Sequence, residues 1–356
     1  MSIQTEQERA SQVIAELYQN SFFQRYWRAI GRFIGRGKPV SIWVSVAVVM
    51  FVTLLLGVTV SVLLRETLFT TTTAILINFM WVVYGFLVIP LFININTKIV
   101  KFLRLRFVKY LQNEPHIQEF LHWASQWLGN GKLQFLVSLI FGVAIAPLTF
   151  YSFYPSVKFS VGEMLIFFVC FFHATVAGYS LFSLLAFVSM LDGLSLALYP
   201  DDPANSPILL QLSKQLNDYI LLLAFAGAAL FLLDGLVGTL NIMVILMLLV
   251  VDWIPTLALF TLGNQAFSKQ ISSVKHERLE KLQSEIMNLS SDVEKMDTDT
   301  IDRVKSLMDY HDRVKSSRNS LYNSESFINL IGSLALPVFS AVLSTIDVWQ
   351  KIFGNP

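Results

Sequence analysis

Two ionisable residues sit deep inside long apolar runs. Asp252 lies about 12 residues past Leu240 in the run Leu240 to Leu262, and His173 lies about 11 residues past Gly162 in the run Met164 to Leu191. At 1.5 Å per residue both are roughly 16 to 18 Å from the ends of their runs, near the middle of a bilayer. A carboxylate persists in hydrocarbon only when paired, protonated or hydrated. Asp252 and His173, meeting at one level, would therefore make a proton relay or a cation site. Pro255 supports this by freeing a backbone carbonyl one turn earlier, at Val251. The structural alternative bonds Asp252 to a hydroxyl such as that of Tyr84 or Tyr179, tying helices together, and leaves His173 neutral with one partner. Glu66, Glu163 and Asp234 fall at the ends of apolar runs. In a symmetric oligomer they would line an acidic vestibule that concentrates cations; singly, they read as solvated turn acids.

Other chemistries find no support in the residue pattern. There is no Walker-type glycine loop, no GxSxG elbow and no HExxH. No lysine lies mid-run where a Schiff base would need one. Of the five histidines, only His116 and His122 approach ligand spacing, on a surface segment. Asp201 and Asp202, adjacent in a proline turn, read as solvated residues rather than a cation site. Cys170 is the only cysteine, so neither an intrachain disulfide nor a cysteine metal set can form. No metal, no cofactor and no enzymatic activity is expected.

The elements that carry these residues are dictated by hydropathy. The 356-residue chain is 54% hydrophobic and 14% charged, a balance that calls for lipid as the main solvent. Six runs are long enough to cross a bilayer: Val40 to Leu64, Thr73 to Ile93, Gln134 to Tyr151, Met164 to Leu191, Tyr219 to Leu233 extended a turn either way, and Leu240 to Leu262. Short links (Arg65 to Thr72, Ser152 to Glu163, Asp234 to Thr239) join them into three hairpins. Residues 1 to 39 hold six Lys or Arg and the connection after the second run holds six more, whereas the three short links hold only Arg65 and Lys158. By the positive-inside rule the N-terminus and the long connections face the cytoplasm of a plasma or bacterial inner membrane. The first apolar run begins too deep and is too long to be a cleaved signal.

The connections have their own patterns. Residues 6 to 36 place Val13, Leu17, Phe22, Tyr26, Trp27, Ile30 and Phe33 at helical spacing beside Arg25, Arg28, Arg32 and Arg36. Such a helix suits the headgroup layer of an anionic leaflet, or docks on the protein's own cytoplasmic side. Lys98, Lys101, Arg104, Arg106 and Lys109 continue the second run as a second basic surface for lipid headgroups. Basic residues interleaved with aromatics beside a span point to membrane rather than nucleic acid. Ser206-Pro207 marks a helix start.

After the sixth run Leu279, Leu282, Ile286, Leu289, Val293 and Met296 step at heptad spacing, and Ile301, Val304, Met308, Val314 and Leu321 mark a returning helix. An antiparallel coiled-coil arm follows, able to bind a cytoplasmic partner through residues 263 to 322. Residues 327 to 346 lack charge and have the length of a seventh span. A polar stripe along one side also suits an interfacial helix.

The fold expected is an all-α polytopic membrane bundle. It divides into an interfacial helix (1–38), a six-span domain (39–262), a cytoplasmic helical-hairpin arm (263–324) and a C-terminal hydrophobic segment (325–356). The function expected is that of a homo-oligomeric ion channel or pore assembled or gated through the arm. The alternative is a non-transporting adaptor whose arm holds a partner.

Overall fold

The computed structural model describes residues 2–66, 72–155, 157, 159–237, 253–290 and 297–321, with 243, 246, 250, 332 and 335 as single positions. Asp252, Lys158, most of Leu240 to Val251 and nearly all of 327–346 lie outside the described residues.

Polar residues start the helices. Ser2, Ser21, Ser41, Asn113, Asn130, Ser160 and Asp297 each accept a bond from the backbone N–H three residues on, relieving a first-turn donor that has no partner within the helix. These caps open α1 (Ile3–Asn20), α2 (Phe22–Ile34), α3 (Ile42–Leu63), α5 (Glu114–Trp127), α6 (Gly131–Ile140), α8 (Val161–Leu191) and α11 (Thr298–Ser316). Between them lie α4 (Thr72–Leu105), α7 (Ala146–Phe153), α9 (Pro207–Val237) and α10 (Ile254–Ser290). The described residues contain no strand, only one isolated antiparallel bridge, Leu111 to Leu196, which ties the two long connections together.

Five segments are long and apolar enough to cross a membrane: Ile42–Leu63, Thr73–Tyr110, Gly131–Phe153, Val161–Leu191 and Pro207–Gly235. Their outward faces expose Phe51, Leu63, Phe79, Leu148, Phe182 and Leu232 at 51 to 74%, an apolar surface that lipid satisfies and water does not. The third is not a uniform helix. Phe141–Ile145 forms a π turn between α6 and α7, just before Pro147, whose missing N–H and ring disfavour the regular α-helical bond there.

Successive crossings alternate in direction. The Leu191 end of α8 meets α10 through Gln270, the C-terminal end of α4 meets the start of α9 through Arg106 and Gln211, and the Leu63 end of α3 meets the start of α8. One end of the bundle therefore carries the arm and the long connections; the other, the far end, carries the short turns. At the far end α3 and α8 touch backbone to backbone, since a Cβ on Gly57 would lie 2.7 Å from the Gly162 carbonyl oxygen. At the arm end α5 docks by aromatic packing: Phe120 and Trp123 meet Phe107 and Phe187, with all but Trp123 fully buried. Each such phenylalanine contributes about 2 to 3 kcal/mol.

Four features refine the sequence reading. The N-terminal segment is two helices rather than one, broken at Ser21, whose extended backbone caps α2 while its hydroxyl bonds the Tyr18 carbonyl. Helix α1 docks on the protein's own α4 and α5, burying Ala10 and Ile14 completely. Helix α9 starts at Pro207, as the Ser206-Pro207 signal indicates, so the fifth crossing begins about three turns before Tyr219. The sixth run ends inside α10, which passes position 262 without a break and becomes the arm.

Helix α11 returns antiparallel along α10, because Arg303 meets Glu285, Tyr310 meets Arg278, and Ser317 meets Lys275. The stripe facing α10 is Val304, Leu307, His311 and Val314; Ile301 and Met308, expected on it, are 51% and 54% exposed.

Candidate functional site

The far end gathers acids and amides inside the bundle. Ser160 and Glu163 form a reciprocal cap on α8: the Glu163 N–H donates to Ser160 Oγ at 3.2 Å, and the Ser160 N–H donates to Glu163 Oε2 at 2.7 Å. The Asn78 amide of α4 donates to Glu163 Oε1 at 3.4 Å and to the Ala74 carbonyl at 2.9 Å. Ser61 of α3 bonds Ser160 at 2.7 Å, and Glu66 accepts from the Val161 N–H at 2.8 Å. Glu163 is 2% exposed. Its partners here are all neutral, and the Asn78 Oδ1 beside it is buried with no donor among the described residues.

A second acid, on α9, is reached through the next turn of α4. Asp234 of α9 is fully buried and accepts from the Tyr154 hydroxyl at 2.8 Å; that hydroxyl accepts from the Trp81 indole N–H at 3.2 Å. Trp81 follows Asn78 by three residues, so one face of α4 supports both acids. Trp81 is itself fixed between Phe167 and Phe171. Glu163 and Asp234 are thus interior groups rather than solvated turn acids. A carboxylate desolvated to this degree is stable when it holds a proton or a cation, or when several dipoles point at it.

His173 belongs to another cluster. Its Nε2 lies 2.7 Å from the Tyr26 hydroxyl and its Nδ1 2.6 Å from the Val169 carbonyl, while the Trp27 ring packs against it. Both ring nitrogens therefore have partners other than Asp252, which lies outside the described residues. Beside this cluster a cavity of 210 Å³ opens between α4, α8 and α9, apolar apart from His173, Thr175 and Tyr84.

The basic residues sit at the arm end. Arg25, Arg28, Arg32, Arg36, Lys98, Lys101, Arg106 and Lys109 are exposed, and Arg104 is half-buried. Arg106 bonds Gln211 of α9 at 2.6 Å.

The arm is fastened to the bundle at named points. The Gln270 amide donates to the Leu191 and Leu194 carbonyls at 2.6 and 2.7 Å, closing the end of α8. Lys269 pairs with Asp192 at 3.2 Å. Asp201 accepts from the Tyr310 hydroxyl and lies 3.9 Å from Arg278, whose guanidinium sits over the Tyr310 ring. The bond to Tyr310 holds Arg278 above the usual arginine range. Burial lowers the Lys275 ammonium, which donates to Ser317 O and Asn319 Oδ1, both at 2.7 Å.

Sequence reasoning missed Asn78 and Tyr154. Asn78 was legible as the one amide in the run Thr73 to Ile93; Tyr154, in a turn 80 residues from Asp234, gave no signal. No protein-family model, no curated protein and no solved structure matches this chain, so the geometry of these clusters is what speaks for its function.

Proposed function

We propose that this protein passes cations or protons across a membrane, with the Asn78–Glu163 and Trp81–Tyr154–Asp234 network as the ion station at the far end. The observation that carries the reading is Glu163, buried among neutral donors next to an acceptor, Asn78 Oδ1, that has no donor among the described residues. A proton on Glu163 or a cation between the two would satisfy both. By the positive-inside rule, this reading has the arm in the cytosol and the station towards the outside of a plasma or bacterial inner membrane. In this reading subunits share the path in a homo-oligomer. The continuous α10 carries arm movement into the bundle, so the coiled coil assembles or gates it, and no cofactor or enzymatic step is needed.

Purified protein in liposomes, loaded with a pH-sensitive or cation-sensitive dye, tests this. Asp234→Asn is expected to lower flux about tenfold, the effect of about 1.4 kcal/mol on site occupancy. Equal flux in wild type and variant would remove Asp234 from the path. No flux from a folded wild-type sample would leave the second reading, an adaptor whose arm binds a cytoplasmic partner. That reading is favoured by Met287, Ile301 and Met308, apolar side chains 51 to 63% exposed on the arm.

A further inference from the structure

Between α2, the first turn of α3 and the Ile93 to Thr97 stretch of α4 lies a cleft of 440 Å³. Its polar wall consists chiefly of Trp27, Arg28, Arg32, Ser45, Asn94 and Thr97, with no acid among the described residues that line it. Neither arginine has a carboxylate partner among the described residues. Arg28 is instead braced by carbonyls of its own segment, donating to Gln24 O at 3.1 Å and to Gln19 O, so its charge is oriented without being neutralised. Trp27 is 5% exposed, and its indole N–H finds no acceptor among the described residues. A buried donor without an acceptor costs on the order of a hydrogen bond, and it shares this cleft with two guanidiniums that have no carboxylate partner among the described residues. All three are donors, and together they call for an anion with several acceptor oxygens.

The cleft's position narrows the anion. It opens at the first turn of α3, where the apolar crossing begins, the depth at which headgroups lie. Phe33, which follows Arg32 in α2, is 88% exposed and Val44, which precedes Ser45 in α3, is 46% exposed, apolar neighbours of the lining residues that suit acyl chains and not a soluble ion. We propose that this cleft binds the phosphodiester headgroup of one anionic membrane lipid. Arg28 and Arg32 meet the phosphate and the Trp27 N–H donates to one of its oxygens. The diffuse attraction of the remaining basic residues for an anionic surface is separate from this site and less selective.

The test uses the full chain in non-ionic detergent, titrated with phosphatidylglycerol or phosphatidylcholine and followed by native mass spectrometry. One phosphatidylglycerol is expected to bind well before any others and ahead of phosphatidylcholine. Arg28→Gln and Arg32→Gln together are expected to weaken that first site by about fivefold for each guanidinium removed. Arg25→Gln with Arg36→Gln removes equal charge from outside the cleft and is expected to leave the first site unchanged. Trp27→Phe keeps the ring and removes only the N–H; it should weaken the site severalfold, and it carries the test if the double arginine variant does not fold. Equal weakening by both arginine pairs would overturn the proposal in favour of a diffuse surface. Displacement of the lipid by millimolar inorganic phosphate would overturn it in favour of a soluble anion.

Discussion

Glu163 combines two roles that substitution can separate. Its carboxylate closes the cap on α8, and it is also a buried acid beside Asn78. Glu163→Gln keeps an acceptor for the Ser160 N–H, since glutamine serves at this capping position as well as glutamate does. It removes the ionisable group. The expected outcome is a nearly unchanged thermal midpoint in detergent with reduced cation or proton flux. Glu163→Ala loses the cap too and should cost about 1 kcal/mol of stability. If Gln and Ala lower the midpoint alike while flux stays at the wild-type level, Glu163 is a cap and nothing more. The capping pattern is legible as Ser160-Val161-Gly162-Glu163, a serine with a glutamate three residues later. What the pattern cannot carry is burial: a glutamate at the end of an apolar run reads equally as a solvated turn acid until α3 and α4 are packed over it. The pairing of His173 with Tyr26 has the same character, because 147 residues separate the partners and no local periodicity links them.

Among elements, α10 links membrane and arm. Its 37 residues span about 55 Å as one helix, so displacement of the arm reaches the bundle unless a joint absorbs it. Gln270 opposes such a joint by holding the Leu191 carbonyl at the end of α8 and the Leu194 carbonyl just past it. Gln270→Ala leaves the Leu191 carbonyl only the Leu194 N–H at 3.3 Å and takes the Gln270 donor from the Leu194 carbonyl in a buried setting, a loss of about 1 to 3 kcal/mol. Local opening should follow. Hydrogen exchange at residues 190 to 196 is expected to speed up while exchange at the far end is unchanged; unaltered exchange at 190 to 196 would show that Lys269 and the Arg278–Asp201–Tyr310 cluster suffice. Element existence was readable here because apolar runs, caps and the Ser206-Pro207 start are local signals. The break at Ser21 was readable too, since Ser21-Phe22-Phe23-Gln24 repeats the capping pattern, but continuous helical spacing across it hid the bend. The facing stripe of α11 was misread at Ile301 and Met308 because apolar residues occur on both of its sides, and only contact with α10 selects Val304, Leu307 and Val314.

At the scale of the whole molecule, charge and hydropathy divide the chain into three zones: basic connections and arm at one end, apolar outward faces in the middle, short turns at the other. Run lengths alone foretell this zoning, since a helix long enough to cross lipid leaves its polar flanks on opposite sides. They do not foretell that the far end hides acids, or that α1 docks on α4 and α5. The zoning makes a labelling prediction that the chain's own composition simplifies. The sole cysteine, Cys170, is 4% exposed, and burial raises the barrier to thiolate chemistry, so wild type should not react with a membrane-impermeant maleimide. Met308→Cys introduces a thiol at a position 54% exposed on the arm, and Arg65→Cys one at an exposed position in the short turn that follows α3 at the far end. With the arm in the cytosol, intact cells should label Arg65→Cys alone and permeabilised cells both. Labelling of Met308→Cys in intact cells would turn the molecule over: the basic end would face outward against the positive-inside rule, the acidic station would open to the cytosol, and the direction of any ion path through Glu163 and Asp234 would reverse with it.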